Sequence, residues 1–176
     1  MLPVESSLMI VVPEAERLVK PFREKYDPSA AVGVPAHITL LYPFKPPVEI
    51  NKTVLDNLNQ CFAHFQPFAF FLTATRRFGV RTLYLAPEPD EPFRELTMAI
   101  WACHPETPPY EGRYSDVVPH LSIADQCPDD QQLESIAVEF AYASRGELPI
   151  GARATEVTLM DTTSGRWEIR TKLRLG

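Results

Sequence analysis

The sequence predicts an α+β fold in which two antiparallel sheets, each backed by helices, form two lobes about a pseudo-twofold axis with a cleft between them. Segments of strand period and helix period alternate along the chain, and one order, a histidine-bearing strand followed by a helix and a hairpin, occurs twice. His37 to Tyr84 and His120 to Trp167 both span 47 residues, while His37 to Pro67 and His120 to Pro149 span 30 and 29. The two stretches differ in composition, so the repeat is one of element order and spacing.

Each element has its own signal. Leu8 to Val12 is an apolar, β-branched run closed by Pro13, which reads as a strand. From Glu14 to Tyr26, Leu18, Val19 and Phe22 share a helical face, with Pro21 expected to break or kink the helix. Residues 36–44, AHITLLYPF, read as a strand closed by Pro43, Pro46 and Pro47. Residues 51–65 follow as a helix, with Asn51 as N-cap and Val54, Leu55, Leu58, Phe62 and Phe65 at helical spacing. FAFFLTATRRF and RTLYLAP flank Gly79-Val80 and predict an antiparallel hairpin. Residues 91–104 form a helix that offers Phe93, Leu96, Met98, Ile100 and Trp101 for packing, and residues 105–119 are a loop or edge strand. The order then returns: a strand over 119–125, PHLSIAD, a helix over 129–144 around Leu133, Ile136, Ala137 and Phe140, and two strands around Ser164-Gly165.

Composition narrows the class. The 176 residues are 45% hydrophobic and 23% charged, enough to bury a core without staples. Proline punctuates the chain and no low-complexity linker divides it, so residues 1–176 are read as a single bilobal domain whose lobes share one core. A net charge of −6 opposes binding of long nucleic acid by the overall field, but leaves room for a short nucleotide in a locally basic cleft. Cys61, Cys103 and Cys127 are odd in number and widely spaced, which fits free thiols in a reducing compartment and no zinc or redox motif. The first residues carry no basic side chain before Arg17 and no long apolar run, so neither a signal peptide nor a membrane span is expected, and the location is read as cytoplasmic.

Residues i and i+2 of a strand share a face, so His37 and Thr39 point one way while Ile38 and Leu40 point the other. His120 and Ser122 repeat this against Leu121 and Ile123, 83 residues further on. Two such strands about a pseudo-twofold axis bring two imidazoles and two hydroxyls into one cleft. Imidazole titrates at about 6.5 and serves as acid or base near neutral pH. Hydroxyls can donate to the oxygens of a phosphate held between the rings. His64 and His104 lie near expected helix C-termini, where the helix dipole accounts for them. No histidine, cysteine and carboxylate cluster has metal-ligand spacing.

HITLLYPF and HLSIAD resemble the paired histidine-x-threonine/serine motifs of the two-histidine (2H) phosphoesterase superfamily, which includes 2′-5′ RNA ligase-like proteins and cyclic nucleotide phosphodiesterases. The resemblance spans nearly the whole chain and implies the same bilobal fold, a metal-independent reaction without cofactor, and hydrolysis of an RNA-type 2′,3′-cyclic phosphate or related nucleotide phosphodiester. It further implies His37, Thr39, His120 and Ser122 as catalytic residues, with His120 read as general base and His37 as general acid, roles that pseudo-symmetry allows to be exchanged. The alternatives are 2′-5′ ligation of RNA ends and a non-catalytic nucleotide- or RNA-binding module.

Further contacts can be placed only as candidates. Tyr42 and Phe44 fit base stacking or core equally, and Tyr110 and Tyr114 fit the cleft wall. Arg113 fits a phosphate contact or a solvated surface, and Arg76, Arg77 and Arg81 fit a solvated turn or an RNA-contacting rim. Asp125 stands where several ligase-like relatives carry a basic residue, which favours a nucleotide or short RNA with a cyclic phosphate over tRNA. The protein is expected to act as a monomer.

Overall fold

The computed structural model describes residues 4–176. Among the described residues eight strands form two antiparallel four-stranded sheets. One has the order β2 (His37–Leu41), β1 (Ser6–Val11), β7 (Glu156–Asp161), β8 (Glu168–Arg174). The other has the order β5 (Leu121–Ala124), β4 (Thr82–Glu88), β3 (Phe68–Phe78), β6 (Ile150–Ala154). β2, which opens on His37, and β5, which His120 immediately precedes, are therefore edge strands of different sheets, and these two edges meet.

The sheets are not built from consecutive halves of the chain. The β3–β4 hairpin, which follows β2, lies in the sheet of β5, and the β7–β8 hairpin, which follows β5, lies in the sheet of β2. Helices cross in the same sense. α1 (Pro13–Tyr26) starts from β1 but packs on β5, and α4 (Glu91–Cys103) starts from β4 but packs on β2. Polar bonds fix both crossings: Asp125 N–H donates to the Tyr26 carbonyl at 2.9 Å, and Thr97 Oγ1 donates to the Leu40 carbonyl at 2.8 Å. One apolar cluster runs through both sheets, from Leu8, Ile10, Ile38 and Leu40 to Leu83, Leu85, Leu121 and Ile123.

Local signals hold well. Asn51 caps α3 (Lys52–Phe62) by accepting from Val54 N–H at 3.1 Å, and Asp129 caps α5 (Asp130–Ala143) by accepting from Gln132 N–H at 2.8 Å. Pro21 does not break α1. It is exposed on the face opposite the buried Ala15, Val19 and Phe22, so the carbonyl it leaves unpaired one turn earlier meets water. Three elements carried no sequence expectation: the short α2 (Pro28–Ala31), a 3-10 turn over Pro47–Glu49, and the strand β6. Residues 105–119 are loop with a short 3-10 turn over Pro109–Gly112, not an edge strand.

Candidate active site

Where β2 meets β5 there is a cavity of about 320 Å³, and His37, Thr39, His120 and Ser122 all line it. The two imidazoles are held alike. Nδ1 of His37 lies 2.8 Å from the Pro35 carbonyl, and Nδ1 of His120 lies 2.8 Å from the Val118 carbonyl. A carbonyl only accepts, so each Nδ1 carries the proton and donates, leaving Nε2 free for the cavity. In both halves the contact is to the carbonyl two residues back, which repeats the pseudo-twofold relation at atomic scale.

Their electrostatic settings differ. Burial and then the Arg23 guanidinium lower His37 to about 4. Burial also lowers His120, opposed by its Val118 hydrogen bond and by the Asp125 carboxylate. Both rings are thus neutral in the empty cleft near pH 7, and a bound phosphate would draw a proton onto one of them.

Other candidates divide clearly. Tyr42 lines the cavity, donates its hydroxyl to Glu5 Oε2 at 2.8 Å, and meets Trp167 edge-on with centroids 6.1 Å apart. Tyr110 lines it as well, close to Thr39, and burial raises its phenol to about 12, so it stays a donor. Its backbone is left-handed, φ 51°, as are Glu111 and Gly112 after it, and its N–H donates to the Tyr42 carbonyl at 2.7 Å. Consecutive left-handed non-glycine residues are costly, and such strain concentrates where a side chain must be held in place. Tyr114 meets Tyr110 edge-on and lines an adjoining cavity of about 470 Å³ that shares Tyr110, His120, Ser122 and Asp125 with the first.

Phe44 and Arg113 line neither cavity, and neither do Arg76, Arg77 and Arg81. Phe44 is 5% exposed and packs edge-on against His104, so of its two readings, base stacking and core, it takes the core. Arg113 is exposed, paired with Glu111, and carried outward by the left-handed turn before it. Arg77 is engaged by Asp130 and Glu134 of α5, whereas Arg76 stands opposite Tyr84 in the ladder, on the face that carries Ser122. Asp125 lines both cavities and accepts from Thr82 Oγ1 at 2.7 Å.

Sequence reasoning missed the aromatic support. Tyr84 stacks on Phe78 with centroids 4.2 Å apart, and both meet the His120 ring edge-on, at 5.5 and 4.9 Å. Trp167 lines the His37 side of the cavity. Tyr84 and Trp167 are the residues that end the matched 47-residue spacings, so the repeat had already marked them. The crossed topology delivers each to the other half's histidine or its neighbours.

Gly33 positions Trp167. Its φ is +106°, and a Cβ there would lie 2.8 Å from the Trp167 carbonyl oxygen, whose residue also donates its N–H to Val32 at 2.9 Å. Gly33→Ala is expected to destabilise the fold by roughly 2 kcal/mol or more and to displace Trp167, read by urea unfolding and by Trp167 fluorescence in a Trp101→Phe background. An unchanged midpoint and spectrum would contradict the contact.

Among the described residues no group of three or more histidine, cysteine, aspartate or glutamate side chains is placed to hold a metal ion. No described helix is long and apolar enough to cross a membrane.

A two-sheet α+β fold with one histidine motif on each facing edge defines a class, the 2H phosphoesterases, and comparison with known proteins agrees. The model of the 2′-5′ RNA ligase superfamily matches residues 11–166, and the chain belongs to that family. Its fold is similar to that of E. coli LigT complexed with 3′-AMP, at 14% identity and a TM-score of 0.62 over 99% of both chains. It is similar also to a structure described as a phosphoesterase, at 15% identity and 0.59 over 99% of both chains. A protein of Thermus thermophilus, TT0787, gives 16% identity and 0.62 over 97% of both chains. Comparison with curated proteins gives no match.

Proposed function

We propose that this protein is a metal-independent phosphoesterase that opens an RNA-type 2′,3′-cyclic phosphate, or cleaves a related nucleotide phosphodiester, using His37 and His120 as its proton-transfer pair. The observation that carries the reading is the matched pair of imidazoles, each with Nδ1 pinned 2.8 Å from a backbone carbonyl and each sharing the cavity with a hydroxyl two residues on. One ring takes the proton of the attacking water or ribose hydroxyl and the other protonates the leaving ribose oxygen. Thr39 and Ser122 donate to the non-bridging oxygens, joined by Tyr110. The aromatic walls of the adjoining cavity, Phe78, Tyr110 and Tyr114, suit a nucleobase.

Asp125 in the cavity and the net charge of −6 favour a mononucleotide or short oligonucleotide over a large polyanion. A solved relative in fold, LigT, is described with 3′-AMP, which accords with a nucleotide ligand. We read the chain as one bilobal domain acting as a monomer in the cytoplasm, in keeping with its continuous core and free cysteines.

The test is incubation of the purified protein with each 2′,3′-cyclic mononucleotide in excess EDTA, with products assigned by phosphorus NMR. Turnover to a 2′-phosphate, unaffected by EDTA, is expected. Joining of 2′,3′-cyclic and 5′-hydroxyl RNA ends without hydrolysis would favour the ligase reading, and binding without turnover the module.

A further inference from the structure

We propose that the buried Arg23–Asp27 pair is a positioning element that keeps His37 the neutral, proton-accepting imidazole of the two, so that His120 delivers the proton to the leaving oxygen. This rests on the function proposed above and reverses the sequence-based assignment of acid and base.

Arg23 lies in the last turn of α1 and is 2% exposed. Each arm of its guanidinium is engaged: Nε donates to Asp27 Oδ2 at 2.9 Å, Nη1 to the Val34 carbonyl at 3.1 Å, and Nη2 to Ser29 Oγ at 3.0 Å. The second carboxylate oxygen of Asp27 accepts from Ser29 N–H at 3.0 Å and Ser29 Oγ at 2.7 Å. Val34 immediately precedes Pro35, whose carbonyl holds Nδ1 of His37. The guanidinium therefore fixes the backbone segment that orients the ring, and Asp27, Ser29 and Val34 line the same cavity as His37. A buried ion pair is a poor source of stability compared with apolar side chains of the same volume, so its position behind one of two otherwise matched imidazoles calls for another reason.

The charges around the two rings are unequal. Facing His37 are Arg23 from α1, Asp27 at the end of that helix, and His120 from across the cleft. Facing His120 are Asp125 at the end of its own strand, Tyr84 from β4 and Tyr110 from the loop. A nearby cation opposes a second positive charge on His37, while a carboxylate welcomes one on His120. Burial and Arg23 together hold His37 down to about 4, more than the Pro35 hydrogen bond and Asp27 restore. In the reaction the nucleophile's O–H proton passes to His37 Nε2 as its oxygen bonds to phosphorus. The bond from phosphorus to the leaving oxygen breaks as that oxygen takes the proton from His120 Nε2. Exchange with water returns both rings to their starting states.

A leaving group that needs no proton separates the roles. His37→Ala and His120→Ala are assayed on a 2′,3′-cyclic nucleotide and on a nucleoside 4-nitrophenyl phosphodiester. His120→Ala is expected to lose about 100-fold more on the cyclic nucleotide than on the nitrophenyl ester, whereas His37→Ala loses similarly on both. The opposite pattern overturns the assignment while leaving the phosphoesterase reading intact, and failure of the wild type on both substrates overturns that reading instead. For Arg23, the pH profile of kcat/KM is the readout. Arg23→Met is expected to move the acid limb up by about one pH unit, a loss of about tenfold at low pH, and Arg23→Lys to hold it in place. Because Arg23→Met leaves Asp27 buried without its partner, the double variant Arg23→Met/Asp27→Leu is measured beside it. An acid limb unmoved in the folded variants overturns the positioning role.

Discussion

Alanine at His37 or at His120 is expected to lower turnover of a 2′,3′-cyclic nucleotide by about 10²- to 10⁴-fold in each case, the range that loss of a positioned proton-transfer group produces. Each ring is half-buried at the cavity wall and makes one polar bond to the protein, to a carbonyl that water can reach once the ring is gone. Stability should therefore fall by only about 1 kcal/mol, and circular dichroism and the thermal midpoint should stay close to wild type. The double variant should be little worse than either single, because a proton-transfer pair works as a unit and one member alone completes no cycle. Thr39→Val and Ser122→Ala remove a single donor from a phosphate that others still hold, so they should lose less than the histidine variants. Wild-type rates in both histidine variants would show that the chemistry lies elsewhere.

The centre of this site was legible because it depends on the shortest-range rule in a protein, the alternation of side chains along a strand. His37 with Thr39 and His120 with Ser122 follow from that period alone. It failed two residues later: counted from His37, parity sends Leu41 to the cleft and Tyr42 to the core. A register shift in the β1–β2 ladder, where Leu8 pairs with Leu41 but Met9 with Thr39, reverses this, and Tyr42 lines the cavity while Leu41 is buried. Arg113 takes the solvated one of its two readings for a related reason, since nearness in sequence to a motif says nothing about a loop that passes through left-handed residues.

Strand exchange between the halves was the largest hidden feature. Pairing is a long-range choice, and β3 and β7 carry no local mark of which sheet they will join. The equal spacings to Tyr84 and Trp167 marked the repeat but not the crossing, because they are the same whichever sheet the last elements of each half join. β6, with the sequence IGARA, lacks the β-branched and aromatic residues that announce a strand, and α2 is too short to show a period.

Phe93→Ala is expected to cost about 3–5 kcal/mol, a large part of the 5–15 kcal/mol that holds a chain of this kind together. Phe93 is fully buried on α4 and meets Phe68 and Phe70 of β3 edge-on, with centroids 5.1 and 5.0 Å away. Truncation removes the transfer energy of a benzyl group and leaves a cavity between two rings anchored in a strand, which cannot close in to fill it. Phe71, the next residue along β3 after Phe70, points to the other face and is 51% exposed, so Phe71→Ala should cost less than about 1 kcal/mol. Urea unfolding of the two variants measures the difference, and equal losses would mean that β3 does not present Phe70 inward. The same helix donates from Thr97 to the Leu40 carbonyl, inside the strand that carries His37 and Thr39. Loosening α4 at Phe93 should therefore reach the cleft, and Phe93→Ala should lose phosphodiester turnover at temperatures where it is still folded, while Phe71→Ala keeps it.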